Sequence, residues 1–405
     1  MSNAVVLDTP RQARINLVSV CVGLTSAFVV QTMLMIAIPL TAIERGASPG
    51  LIGVILSAPY LLPLLLAIPL GELITRHGGR RAIVIGSLGM MLGAWATLAW
   101  PGLSGLFGAQ LLVGMAHMVM ILAGQTIVAG LGEGKVLERY FGWYATCLSA
   151  GQLVGPLVAG WLLDHHGSQI VFLITGSIAS IGVFSGLILT GSARTGAPLK
   201  GADRGYRVQL RLLRRNPGVQ VSIALTVAVV FALGAYGTFL PVYLNHQSMS
   251  ATSIGALLSL RALSAMMIRP FTSAVIQVMG GRVKSMFVSA LLVAFALLVT
   301  GLVQGVFALG LLVVIVGIGS GISQPLSMVV LAESVSPGQR SGALGMRLMG
   351  NRALQFLAPL ILGLLADFLP YSITFIIAGV LSLLLVGVMA SRVPSYVNMR
   401  SQPLE

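Results

Sequence analysis

The chain has 405 residues, 56% of them apolar and only 8% charged, against about 45–50% apolar and roughly 25% charged in soluble domains. So little charge cannot clothe a soluble fold of this length, and disorder requires low hydrophobicity; both are excluded, and a polytopic membrane protein remains. The 24 Lys and Arg residues outnumber the 10 Asp and Glu, an excess whose meaning depends on where the charges fall.

A membrane-spanning helix needs about 20 mostly apolar residues. Twelve such segments follow one another, at about 16–40, 51–74, 82–100, 103–130, 141–163, 169–190, 218–244, 252–277, 284–303, 306–331, 341–365 and 371–391. The first, preceded by Arg11 and Arg14, is too long for a signal h-region and lacks a small-residue cleavage site after it, so it reads as a span rather than a removable leader. Gly- and Pro-containing stretches mark the joints, among them Gly46-Ala-Ser-Pro49, Gly78-Gly79, Gly280-Gly281 and Ser336-Pro337-Gly338. The long polar interval 191–217 divides the chain into an N-terminal six-helix bundle, 1–190, and a C-terminal one, 218–405. The expected fold is an all-α membrane protein of two pseudo-symmetric six-helix bundles, with 191–217 as a cytoplasmic linker.

The charges follow the joints. With the N-terminus inside, most of the 24 basic residues lie on the cytoplasmic side, whereas the opposite side holds Arg45 alone. That satisfies the positive-inside rule, and the basic excess needs no nucleic acid. The expected placement is a bacterial-type inner membrane with both termini cytoplasmic. Cys21 and Cys147 sit inside apolar runs, the five histidines are scattered, and no phosphate-binding G-x-x-x-x-G-K-[ST] segment occurs. Neither a metal nor an organic cofactor is expected. An enzyme would need a nucleophile–base pair or paired carboxylates within the spans; every Asp and Glu falls near a span end or in a joint.

The two halves repeat. Gly78-Gly79-Arg80 returns as Gly280-Gly281-Arg282, about 202 residues later, and Gly142, Gln152, Pro156, Gly160 and Asp164 return as Gly345, Gln355, Pro359, Gly363 and Asp367, shifted by 203. Six spans per half make the repeat parallel, an arrangement used by transporters that bind cargo near the bilayer midplane.

Two motifs sharpen this. The joint after the second span reads Gly71-Glu72-Leu-Ile-Thr75-Arg76-His-Gly78-Gly-Arg80-Arg81. The fifth span carries Gly142, Gly151, Gly155-Pro156 and Gly160 at spacings that let helices touch closely while Pro bends one of them. Together they resemble the major facilitator superfamily over nearly the whole chain. The first is similar to its G-x-x-x-D-R-x-G-x-R-R loop, and the second to the G-x8-G-x3-G-P-x2-G-G signature of its twelve-helix drug–proton antiporters. The resemblance implies export by alternating access, with the proton gradient as energy source. It also implies that Gly71 admits a neighbouring helix and that the acidic position of the loop latches the halves. Here that position is Thr75, and Glu72, one turn earlier, is the acid available to replace it. Ser336-Pro337-Gly338-Gln339 reads as a capping box opening the eleventh span. The final Gly pair is Ala159-Gly160, and Gln110 replaces the Arg of an R-x-x-x-G pattern linked to proton transfer.

Charges within spans are costly unless they face water or a partner. Arg261, Arg269, Arg347 and Arg352 lie inside predicted spans, the first and last near mid-span. Gripping an anionic cargo through guanidinium forks is one reading; snorkelling or pairing with carbonyls is the other. Arg347, Asn351 and Gln355 share one helical stripe, and Gln31 and Gln324 add polar groups on the first and tenth spans. His117, near mid-span, is the candidate proton carrier beside Gln110, or else a neutral histidine bonded to a neighbouring helix. The expected activity is proton-coupled efflux of a small organic anion or amphipathic compound by a monomer in the lipid bilayer. Uptake or exchange of an organic anion, a carboxylate or phosphorylated metabolite, is the alternative.

Overall fold

The computed structural model describes residues 10–132, 134–190, 213–335 and 339–401. Among the described residues there is no strand. That follows from the solvent: in hydrocarbon each backbone N–H and C=O must be bonded within its own segment, and the helix does this. The helices are α1 (Pro10–Glu44), α2 (Pro49–His77), α3 (Gly79–Ala99), α4 (Leu103–Ala129), α5 (Gly134–Ile188), α6 (Pro217–Gly234), α7 (Leu240–His246), α8 (Ala251–Ile268), α9 (Thr272–Val278), α10 (Arg282–Thr300), α11 (Val306–Glu333), α12 (Arg340–Phe368) and α13 (Tyr371–Ser401). A π-helical turn, Ala235–Phe239, joins α6 to α7, and a short 3₁₀ turn, Arg269–Phe271, joins α8 to α9.

Among the described residues eleven helical stretches are long and apolar enough to cross a membrane. One of them, α5, has 55 residues and breaks at Gly167, whose φ of 75° and ψ of 174° are not helical. Its two limbs are the fifth and sixth predicted spans, which brings the total to the expected twelve. Other joints also form where glycine permits them: Gly78 (φ 89°) precedes α3 and Gly281 (φ 137°) precedes α10, conformations that side-chain-bearing residues rarely adopt. Residues 191–212 of the expected linker and residues 336–338 of the expected capping box lie outside the described residues. Asn216 caps α6, its side chain accepting from Gly218 N and Val219 N, with Pro217 at the first helical position.

The chain folds as two compact units. Unit 1 comprises the described residues of Met1–Ala47, Ala58–Pro198 and Ser250–Ser259; unit 2 comprises those of Ser48–Ser57, Leu199–Met249 and Leu260–Glu405. The first turns of α2 and α8 therefore pack with the opposite sequence half. In unit 1, Asp164 accepts from Ala251 N at 2.9 Å, Thr252 N at 2.8 Å and Thr252 Oγ1 at 2.6 Å, covering the start of α8. In unit 2, Asp367 accepts from Gly50 N at 2.8 Å at the start of α2. A carboxylate there satisfies amides that have no partner within their helix and lies at the positive end of the dipole.

The core of unit 1 is built on α1, where Leu24, Val30, Met33, Leu34, Ile36 and Ile38 are buried. Unit 2 has a core from α6, α10, α11 and α13, with Val221, Leu225, Met286, Ala290, Leu326, Val330 and Met389 packed together.

Candidate functional site

The signature glycines of α5 are contact points within unit 1. A Cβ on Gly151 would strike Phe28 and the Thr25 carbonyl of α1, and one on Gly155 would strike Thr32 and the Val29 carbonyl. Thr32 Oγ1 also lies 3.2 Å from Gly151 O. Gly160 meets the Ala251 carbonyl of α8, and Gly255 meets the Pro156 carbonyl. Ser259 Oγ donates to Leu153 O at 2.6 Å, next to the Gln152 carbonyl that Pro156, having no N–H, leaves without its helical donor. Unit 2 repeats the crossing: a Cβ on Gly53 would lie 2.5 Å from Pro359 O, and one on Gly363 would lie 2.7 Å from Pro49 O.

The loop motif is different. Among the described residues a Cβ built on Gly71 meets no atom within 4 Å, and one on Gly142 of α5 is equally open. Arg80 Nη2 donates to Leu187 O at 3.0 Å, covering a carbonyl at the end of α5. Glu72, Arg76 and Arg81 are exposed, and among the described residues none of them forms an ion pair. The side chain of Thr75 lies outside the described part.

Unit 1 holds the candidate coupling residues. His117 of α4 is 8% exposed, and its ring meets Phe28 of α1 edge-on, centroids 4.7 Å apart. Gln110, two turns earlier, is 2% exposed, and Gln31 of α1 is 7% exposed. The Oε1 atoms of both glutamines are buried without a hydrogen-bond partner. Gly114 packs against the backbone of Pro59 in α2, so the small residue of the broken R-x-x-x-G pattern keeps a packing role.

Unit 2 holds the intramembrane arginines. Arg347 of α12 is 8% exposed. Its Nε donates to Thr226 Oγ1 at 3.2 Å, and Nη2 donates to Ser327 Oγ at 2.7 Å and Gln324 O at 3.3 Å. All three acceptors are neutral. Arg261 of α8 is half-buried, its Nε enclosed and without an acceptor, and Tyr236 stands within electrostatic reach of it. Arg352 donates to Gln355 Oε1 at 3.0 Å along α12. Asn351 Oδ1 is buried without a donor. Arg269 opens the 3₁₀ turn and is exposed. Among the described residues the ion pair formed is Arg282–Glu333, and neither Arg261 nor Arg347 has a carboxylate partner.

Arg347, of the stripe it shares with Asn351 and Gln355, thus points into unit 2 toward α6 and α11. Thr226 and Ser327 are its missed partners, and the 121 residues between Thr226 and Arg347 leave no local pattern to find. Tyr236 was also illegible as a core residue. It sits in the π turn, fully buried, with its hydroxyl bonded to Ala296 O at 3.1 Å and to Thr300 Oγ1. Single π turns often mark functional positions.

Two helical units that enclose polar and cationic side chains, built largely from helices long and apolar enough to cross a membrane, are the architecture of a polytopic membrane protein. The Major Facilitator Superfamily profile matches residues 20–280 and 225–402, and the chain belongs to that family. It is 28% identical over 168 residues, 41% of this chain and 33% of the relative, to the multidrug efflux pump LfrA of Mycolicibacterium smegmatis. It is 23% identical over 177 residues, 44% of this chain and 39% of the relative, to the riboflavin transporter RibZ of Clostridioides difficile. The matches thus span less than half of these curated relatives' own length. The fold is also that of a bacterial homologue of the human lysosomal transporter Spinster, with a TM-score of 0.77 at 14% identity over 98% of this chain and 100% of the other.

Proposed function

We propose that this transporter exports a small organic anion or amphipathic compound in exchange for protons, by alternating access of its two six-helix halves. The observation that carries the anionic preference is the pair Arg261 and Arg347, cations of unit 2 without a carboxylate partner among the described residues. Beside Arg347, the unmatched Arg261 Nε and Asn351 Oδ1 leave a buried donor and a buried acceptor for cargo or water to satisfy. Arg261, Asn351, Arg352 and Gln355 are assigned to cargo, with Gln31, Gln324 and Arg269 as secondary contacts. Arg347 acts by holding α12 against α6 and α11 while adding positive potential. His117 carries the exchanged proton, and Gln110 adjoins it.

Export is supported by the glycine–proline signature at Gly142–Gly160 and by similarity to an efflux pump. Uptake or exchange of an organic anion is the second reading, favoured by the similarity to the riboflavin transporter RibZ. The protein works as a monomer in a cell inner membrane, both termini cytoplasmic, without a bound cofactor. Everted vesicles distinguish the readings: acidifying the lumen should accelerate accumulation of anionic cargo if export is correct and leave it unchanged otherwise. A thermal-shift screen across carboxylates, phosphorylated metabolites and amphipathic drugs identifies the cargo class. Arg261→Ala should abolish both shift and transport while the protein stays folded; normal transport by that variant refutes the anion reading.

A further inference from the structure

Unit 1 carries a groove of about 1020 Å³ between α1 and both limbs of α5, at the upper end of the volumes that hold drug-sized molecules. Its α1 wall is one helical face, starting at Arg14 and passing Cys21 and Thr25 to Val29. Its α5 wall runs from Val136 and Arg139 through Trp143 and Cys147 to Val154. The two walls run in the same direction: Thr25 Oγ1 donates to Cys147 O at 3.3 Å, and Phe28 packs on Gly151. Arg14 and Arg139 therefore stand at the same end. Tyr140 and Trp143 lie beside them, the aromatic types that favour the headgroup level of a bilayer. Beyond that end the lining is apolar apart from small hydroxyls and thiols, and among the described lining residues none is acidic.

The length is informative. Arg14 and Val29 are 15 residues apart, about 22 Å along α1. Half of a hydrocarbon core is about 15 Å, so a groove whose deep end reaches the midplane has its arginines about 7 Å outside the core, at phosphate level. Both guanidiniums are exposed, and neither forms an ion pair among the described residues. Val18, Val22, Trp143 and Val154 keep large apolar surface open along the groove, surface that an aqueous ligand would leave uncovered.

We infer that this groove is a binding site for one anionic phospholipid of the cytoplasmic leaflet, its phosphate held by Arg14 and Arg139 and its acyl chains lying between α1 and α5. The leaflet follows from the placement of basic residues in the sequence. The site uses none of the arginines assigned to cargo, so it stands or falls separately from the proposed transport reaction.

Cys21 and Cys147 are the two cysteines of the chain, both free and both in the lining, and so report on occupancy without engineering. Purified full-length protein in detergent is titrated with phosphatidylglycerol or phosphatidylcholine, and the rate of N-ethylmaleimide labelling is followed. Each arginine near a membrane surface contributes about fivefold to anionic-lipid affinity, so phosphatidylglycerol should protect the thiols at roughly thirtyfold lower concentration than phosphatidylcholine. Arg14→Ala combined with Arg139→Ala should bring the two midpoints together. Val154→Trp fills the groove without changing charge and should remove retained phosphatidylglycerol from the native mass spectrum. Arg261→Ala should change none of this. An unaltered preference in the double variant, retention of lipid by the Trp variant, or protection by inorganic phosphate alone would each overturn the assignment.

Discussion

Asp164 offers a quantitative test of how the helix starts are held. Its carboxylate accepts two backbone N–H groups and one hydroxyl at the start of α8, whereas Asp367 accepts one N–H at the start of α2. Removing an N-terminal cap costs about 0.5–2 kcal/mol, and the charge–dipole part alone is worth about 0.3–1 kcal/mol. Asp164 is exposed, so water reaches the freed amides and the cost stays near the cap value rather than that of a buried charge. Asp164→Ala should therefore lose about 2 kcal/mol. Asp164→Asn, which keeps an acceptor but loses the charge, should lose about half of that, and Asp367→Ala about 1 kcal/mol. At roughly 2–4 °C per kcal/mol for a unit of 150–250 residues, the expected drop for Asp164→Ala is about 4–8 °C. Unfolding followed by tryptophan fluorescence at one fixed heating rate measures the order, since membrane proteins of this kind unfold irreversibly. Equal losses from the two alanine variants, or none at Asp164, would refute the reasoning that bond number and charge set the strength of these caps.

The glycine crossings make a sharper contrast. Gly160→Ala should lose about 1–3 kcal/mol because its Cβ meets the Ala251 backbone, while Gly142→Ala, where a Cβ meets no described atom, should change the melting temperature of purified protein little. Ser327→Ala removes the 2.7 Å acceptor of Arg347 and should cost about 1.5–3 kcal/mol, the worth of a hydrogen bond to a charged group; an unshifted melt would show that Arg347 is held elsewhere. His117→Gln should flatten the pH dependence of transport in proteoliposomes, and an unchanged profile rejects the proton role.

What could be read from the sequence and what could not divides by the distance over which each feature is encoded. The spans are legible because lipid forces every helix to declare itself in some twenty successive apolar residues. The joints at Gly78 and Gly281 are legible because positive φ demands glycine locally. Gly151, Gly155 and Gly160 were marked as contact points by their spacing, and the backbones they meet explain why. Gly142 carries the same residue type with open space around its Cβ among the described residues, so small size by itself does not reveal a crossing. The caps were hidden: Asp367 and Gly50 are 317 residues apart, and an acid at a helix end looks the same whether it meets water or another helix. For the same reason Arg347 could be placed within a span but not assigned its partners Thr226 and Ser327. The proposal of an anionic cargo rests on a negative pattern, the lack of mid-span acids, which the sequence displays in full.

The π turn at Ala235–Phe239 has a consequence for how this chain tolerates change in length. Such a turn holds one residue more than the α-helical ladder needs, so removing a single residue there can restore regular winding without breaking the helix. Because the widened turn absorbs the surplus residue, Leu240–His246 would keep its facing, with Tyr243 still against Phe375, whose ring lies 5.0 Å away. The same deletion within the regular winding of α6 would instead rotate everything after it by about 100°, so this turn is where the helix can shed a residue and keep its neighbours.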